Sequence, residues 1–331
     1  MDNLELKKTP LDMELIATQK DDELFYFVDQ STVSSERITA PRYSYWRSVF
    51  RIFFSKKGNI IALALLILVV AMAFIFPAIF TYDKYEHVAD SIANKSPSYL
   101  IDRFGFSFEW LLGTGQNGDS IFYGIWASAK ISLSLSFICA IINMAVGILV
   151  GAVWGYNKAV DSVLNIVYNI VANVPYLLLI SVLVYVIGSG FFSFVFALTI
   201  TGWLGIAYFM RTQVIIIRDR EYNLASRTLG TPMVRIVSKN VLPYLTSVIV
   251  TLLAAEIPSY ISSEVFLTYI GIGLSADVPS LGHMISDAQT SWVDYPWAFW
   301  GPVAISAVIT IILYVVGQNL ADASDPRSHM K

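Results

Sequence analysis

Six runs of about twenty predominantly apolar residues recur along this chain, and a helix of that length is what crosses the hydrocarbon core of a bilayer. They lie at residues 59–80, 131–154, 163–187, 191–209, 244–270 and 298–320. The third and fourth are separated only by Gly188-Ser189-Gly190, a tight hairpin. Composition agrees with a bilayer solvent: 56% of the residues are hydrophobic and 14% charged, where soluble domains carry about 25% charged. The reading is therefore an all-α membrane protein with six transmembrane helices.

Charge orients the spans. Eighteen of the 22 Lys and Arg fall before the first run, in the loops after the second and fourth, or at the C-terminus, including Arg42, Arg47, Lys158, Arg211 and Arg327. Only Lys84, Lys95, Arg103 and Lys130 fall on the other side. The positive-inside bias predicts that both termini are cytoplasmic. Residues 1–45 are then a cytoplasmic N-terminal extension, without a signal peptide because the first apolar run starts late and is too long for a cleavable one. Residues 46–331 form one membrane domain. Outside lie a long loop, 81–129, and a shorter acidic one, 272–296.

The cytoplasmic loop at 211–243 carries the most local information. Asp219 is placed to cap a short helix, with Glu221 favourable near its positive end. Gly230 suits the left-handed residue that ends it. Thr231 caps a second helix with Pro232 at its first position, and Pro243 stops or kinks the helix after it. Tyr222, Ala225 and Leu229 share one face of the first helix; Met233, Ile236, Val237 and Val241 share one side of the second. This is either a loop packed on its own helix ends or a docking element for a cytoplasmic partner. Nucleic acid is a poor partner for a segment held to the membrane at both ends.

These residues resemble the Glu-Ala-Ala signature of ABC importer permeases, a triplet with a glycine four residues on and a Leu-Pro pair beyond. Here the triplet reads Leu224-Ala225-Ser226, the glycine is Gly230, and the pair is Leu242-Pro243. Leu224 replaces the motif glutamate, and Glu221 lies one helical turn earlier. Other segments resemble the C-type permease subunit of oligopeptide and dipeptide importers. Trp110-Leu111-Leu112-Gly113-Thr114-Gly115-Gln116-Asn117-Gly118 is similar to its Trp-Leu-Gly-Thr-Asp-x-x-Gly element, with Gly115 where Asp is usual. Ala129-Lys130-Ile131-Ser132-Leu133, Phe266–Leu274, Pro279-Ser280-Leu281-Gly282 and the ending Asp322-Ala323-Ser324-Asp325-Pro326-Arg327 also fit. The wording is nearest to oligopeptide permeases of Gram-positive bacteria.

The resemblance implies a type I ABC importer permease fold in a bacterial cell membrane. It implies a second homologous permease, two ATPase subunits, an extracellular peptide-binding lipoprotein and an oligopeptide substrate as partners. Glu221, Leu224, Ala225, Ser226, Gly230, Thr231, Pro232 and Pro243 would couple this chain to the ATPases. ATP and Mg would be held by those subunits. The chain has no G-x-x-x-x-G-K-[ST] loop with which to hold nucleotide phosphates, so it reads as a non-catalytic subunit that binds no cofactor or metal. Dipeptide and nickel importers share these elements and are the alternative substrates.

Polar residues within the spans are costly and face the bundle interior or water. Asn165, Asn169 and Asn173 recur every four residues on the third span, continuing from Asp161. Glu256 sits in the fifth, near Pro258, where an unpaired carboxylate costs about 2.5–3.5 kcal/mol on insertion scales. Asn169, Asn173 and Glu256 are candidates to line a pathway, against an equal claim for interhelix hydrogen bonding; for Asn143 the structural role is favoured. Gly147 and Gly151 suit a close helix contact. Residues 265–279 read as a re-entrant or gate-like element, and Tyr269, Trp292, Trp297 and Trp300 as interface anchors. Cys139, alone in the chain, excludes an internal disulfide and reads as a buried thiol. A membrane enzyme fits poorly, because His87, His283 and His329 are scattered. An ATP-independent transporter or channel would not need the structured cytoplasmic loop.

Overall fold

The computed structural model describes residues 44–84 and 92–325. The N-terminal extension therefore lies almost wholly outside the described residues, as do His87, His329, Pro326 and Arg327. Thirteen α-helices account for most of what is described. Helix α1 (Tyr45–Ser55) precedes α2 (Lys57–Ile79), and the short α3 (Pro97–Phe104) comes after it. Next come α4 (Ile121–Tyr156), α5 (Lys158–Ala172), α6 (Tyr176–Ile187) and α7 (Phe191–Arg218). Two short helices, α8 (Glu221–Thr228) and α9 (Met233–Ile236), lead through a π-helical turn, Val237–Val241, to α10 (Leu242–Tyr244). The long α11 (Thr246–Tyr269), the short α12 (Leu281–Ala288) and α13 (Pro296–Ser324) complete the chain.

Five of these, α2, α4, α7, α11 and α13, are long and apolar enough to cross a membrane. The third apolar run is not one straight helix. It breaks between α5 and α6, which meet at 83° and make a sixth crossing only if counted together. Pro175 supplies the reason: it has no amide to donate and pushes Val174 out of the helical region. Helix ends also depart from the apolar runs. Ser120 accepts from the Tyr123 amide and starts α4 ten residues earlier than the apolar run does, inside what reads as outer loop. At 36 residues, α4 is about 54 Å long, well beyond the hydrocarbon core. Helix α7 likewise runs eight residues into the predicted 211–243 loop, to Arg218. Apolarity marks where lipid would be; caps mark where helices end.

The central helix is α4. Its first half packs Ile121, Ile125 and Leu133 against α2, α11, α12 and α13; its middle packs Leu135 and Cys139 against α6, α7 and α11. Its last third packs Met144 and Ala152 against Ile206, Met210 and Val214 of α7 and against Ile236, Val237 and Val241. Lipid tails are as apolar as leucine, so helices in a bilayer are drawn together by close fit and not by water exclusion. Gly147, Gly151 and Gly155 provide that fit: a Cβ at Gly151 would sit 2.5 Å from the Ala207 carbonyl oxygen, and one at Gly155 2.6 Å from that of Arg211. Helix α1 lies on α13 through Val49, Phe53 and Ala323.

After α11 the chain reverses. Gly271 has φ +81°, a left-handed value that glycine takes without strain, and the Ile272 amide bonds the Leu267 carbonyl. The segment expected to be re-entrant folds back from there, burying Leu274 beside Tyr260 and Leu267 and placing α12 against α11 and α13. Trp297 is half-buried and packs against the α4 core; Trp292 and Trp300 are exposed.

Candidate functional site

The loop between α7 and α11 carries α8 with most of its side chains uncovered. Asp219, expected to cap α8, instead ends α7 and forms an ion pair with Arg218, whose guanidinium holds the carboxyl below the usual carboxylate range. Arg218 also donates to the Gly155 carbonyl and is committed to the end of α4. Helix α8 begins after Arg220 with no side-chain cap. Its end is as expected: Gly230 has φ +78°, its amide bonds the Arg227 carbonyl, and the Thr231 amide bonds the Ser226 carbonyl. That pair is a Schellman ending. Thr231 therefore closes α8 and does not cap α9; Pro232 is the residue before α9, one position earlier than expected. Pro243 comes straight after a π turn in which the Leu242 amide reaches back five residues to Val237. The wider turn accommodates a residue without an amide.

Only one side chain of α8 is buried, and it is polar. Asn223 donates to the Ile217 carbonyl at 2.9 Å and accepts from the Asn240 side-chain amide at 3.1 Å. It fastens α8 both to the end of α7 and to the helical run beyond it. Arg227 adds a contact over the Tyr156 ring at 5.9 Å. The apolar residues of α8 point elsewhere: Tyr222 and Leu224 are exposed, Leu229 is 85% exposed, and Val234 beyond it 78%. By contrast Ile236, Val237 and Val241 are buried against α4 and α7. The second half of the loop thus packs inward, and the first presents an uncovered apolar surface.

A second cluster joins α4, α5 and α7. Arg211 forms a two-pronged ion pair with Asp161, which also accepts from the Trp154 indole at 2.8 Å. The guanidinium lies over the Trp154 and Tyr208 rings, and Tyr208 stacks on Tyr168 at 4.3 Å. Such a bidentate, ring-backed contact suits arginine and not lysine. It is the main polar tie on α5, a helix with no buried residue.

The polar residues within the spans separate into two groups. Asn169 and Asn173 are exposed, and the Asn173 amide bonds only the Asn169 carbonyl of its own helix. They form no bridge to another helix of this chain among the described residues. In contrast Glu256, Tyr260, Glu264 and Thr268 recur every four residues on α11, and Tyr260 and Glu264 of that row meet α4. Asn143 of α4 is buried and donates to the Tyr260 hydroxyl at 2.6 Å, an interhelix role. Glu256 is half-buried one turn from Tyr260. Glu264 is fully buried, bonded by the Thr268 hydroxyl at 3.2 Å and close to the Ser132 and Ser280 hydroxyls. Sequence reasoning missed Glu264, though its spacing of eight residues from Glu256 was the available signal. It also missed Asn223 and the Asp161–Arg211 pair.

A family model for the binding-protein-dependent transport system inner membrane component matches residues 143–329. One for the N-terminal TM domain of oligopeptide transport permease C matches residues 44–97. The chain is 44% identical over 309 residues to the oligopeptide transport system permease protein AmiD of Streptococcus pneumoniae, covering 93% of this chain and 98% of that one. It is 31% identical to the oligopeptide transport system permease protein OppC of Bacillus subtilis, covering 88% and 93%. It is 29% identical to the dipeptide transport system permease protein DppC of the same organism, covering 93% and 94%. Among solved structures, the MetNI methionine ABC transporter in inward-facing conformations matches with a TM-score of 0.46 at 16% identity, covering 61% of this chain and 94% of that chain.

Proposed function

Since the chain belongs to the binding-protein-dependent transport system inner membrane component family, we propose that it is the transmembrane subunit of an ATP-driven oligopeptide importer, forming half of the peptide pathway. The observation that carries the substrate class is the 44% identity to an oligopeptide permease over nearly the full length of both chains. The dipeptide permease, at 29%, is the more distant of the two.

In this reading a second, homologous permease completes the pathway, and a peptide-binding lipoprotein delivers substrate from outside. Two ATPase subunits dock from the cytoplasm and hold the ATP and Mg. The positive-inside charge pattern supports cytoplasmic termini and, with them, an α8 that faces the ATPases. There the helix offers what a partner groove requires: a rigid short helix with Tyr222, Leu224 and Leu229 uncovered. Glu221, Ala225 and Ser226 lie on the same helix, and Gly230, Thr231 and Pro232 form the turn that sets its direction. Beyond Pro243 the chain enters α11 directly, so motion of α8 is delivered to a helix that carries Glu256. Closure of the ATPase pair would rock α11 and α7 as rigid bodies between inward and outward states. Asn169, Asn173 and Glu256 are then the pathway-lining candidates, polar but without the geometry to select particular side chains.

Affinity purification of the tagged chain in mild detergent tests the coupling. An ATPase and a second permease are expected to co-purify with the native chain. Gly230→Pro cannot hold φ +78°, and Leu224→Asp places a charge on the exposed face; both are expected to lose the ATPase and keep the second permease. A chain that purifies alone and still transports in proteoliposomes would overturn the reading.

A further inference from the structure

Outside the bundle core, the turn after α2, the loop before α4 and the approach to α12 enclose a cavity of about 450 Å³. Four carboxylates line it, Asp83, Asp119, Asp277 and Asp287, and the described lysine among them is Lys84, which pairs with Asp287 at 2.6 Å. His283 also borders it, with Nδ1 turned to the Val278 carbonyl at 3.0 Å. The lining therefore carries excess negative charge, which disfavours an anion.

Two buried groups point to an occupant. Asp119 is 8% exposed, and its carboxylate accepts from the Tyr82 hydroxyl at 2.9 Å. Burial pushes that carboxyl above its usual range, so its ionised form lacks full compensation. Ser128 is fully buried on α4, borders the cavity, and its Oγ has no hydrogen-bond partner among the described residues. Buried polar atoms in native structures are ordinarily satisfied. The carboxylates accept only and a hydroxyl can accept as well as donate, so a donor-only cation satisfies both. No three His, Cys, Asp or Glu side chains among the described residues come together closely enough to hold a metal ion, and the volume lies in the range of small-ligand sites.

We infer that this cavity binds an alkylammonium group of a polypeptide, held by Asp119 and Asp277 with Ser128 completing the contacts. The ammonium is either the free amino terminus of a peptide or a lysine of the binding protein. Only that choice of source rests on the importer reading; binding itself does not.

The full chain in lipid nanodiscs, where both faces are accessible, is titrated calorimetrically with tetra-alanine and with N-acetyl-tetra-alanine. Acetylation is expected to weaken binding about tenfold, the loss expected on removing a charge-assisted contact. Asp277→Asn, at an exposed position, and the isosteric Asp119→Asn are each expected to weaken tetra-alanine binding severalfold. If neither peptide binds, the purified binding protein is titrated with native and with reductively methylated or acetylated lysines. Loss on acetylation but not methylation, and loss in Asp277→Asn, assigns the ammonium to the docking protein. Equal binding of acetylated and free-amine forms in both arms, or binding indifferent to Asp119 and Asp277, overturns the inference. ATPase co-purification is a separate readout and reports on the importer reading alone.

Discussion

Asn223 carries more of the α8 arrangement than any apolar residue on that helix. Truncation by Asn223→Ala leaves the Ile217 carbonyl and the Asn240 amide without their partner, a loss of about 1–3 kcal/mol for buried polar groups. The expected outcome is a lower apparent melting temperature in detergent and weaker ATPase capture, whereas Leu229→Ala, at an exposed position, affects only capture. Asp119 allows a signed pH test. Its folded-state pKa is raised by burial, so the folded chain holds that proton more tightly than the unfolded one. The resulting stability is fully present below the ordinary carboxylate value and is lost as pH rises through the raised value. Asp119→Asn should flatten that slope and raise the melting temperature at neutral pH, even as ammonium binding weakens. A melting profile unchanged in shape would contradict the assignment. Neither Asn223 nor Asp119 announced itself in the sequence. Asn223 is tied to a residue 17 positions on and Asp161 to one 50 positions on, and neither partner falls within a local periodicity.

At the scale of elements, the helices that cross and the turns that reverse were legible, and the angles between them were not. Gly230 was readable as a left-handed ending because a helix must stop before Thr231-Pro232, and the Gly147–Gly151 spacing was readable as a close contact. Gly151→Leu is accordingly expected to fail: its side chain would enter the Ala207 backbone and the Met210 side chain of α7. Overpacking of this kind costs typically about 1–3 kcal/mol in packed cores. Expression in the membrane and resistance to unfolding by SDS measure it, and a tolerated Gly151→Leu would mean that α4 and α7 pack more loosely than their backbone approach requires. The 83° break between α5 and α6 escaped the apolar count because hydropathy averages across Asn173-Val174-Pro175. A single missing amide does not change an average, yet it ends a helix. Asp219 and Thr231 were misplaced for a related reason: composition suggests caps, but a strong neighbouring arginine and a Schellman closure took those residues first.

For the molecule as a whole, orientation is the property on which the functional reading turns. Cys139 is fully buried, so the native chain should be silent to a membrane-impermeant maleimide. Ala276→Cys is expected to react on intact cells and Ser226→Cys only after permeabilisation; the opposite pattern would place α8 outside and defeat the coupling scheme. The number and place of the apolar helices were legible because length and hydropathy are properties of whole segments. The packing of α4 through three apolar clusters was not, since it depends on which of several similar helices are neighbours.

Helix α5 buries none of its side chains within this chain and is tied to it mainly through Asp161. An ordinary core position drifts through evolution in step with residues of its own polypeptide. The outward positions of α5, Asn169 among them, have no such internal correspondents among the described residues. In the proposed importer a second permease would cover that face, so their covariation is expected to cross from one reading frame to the next.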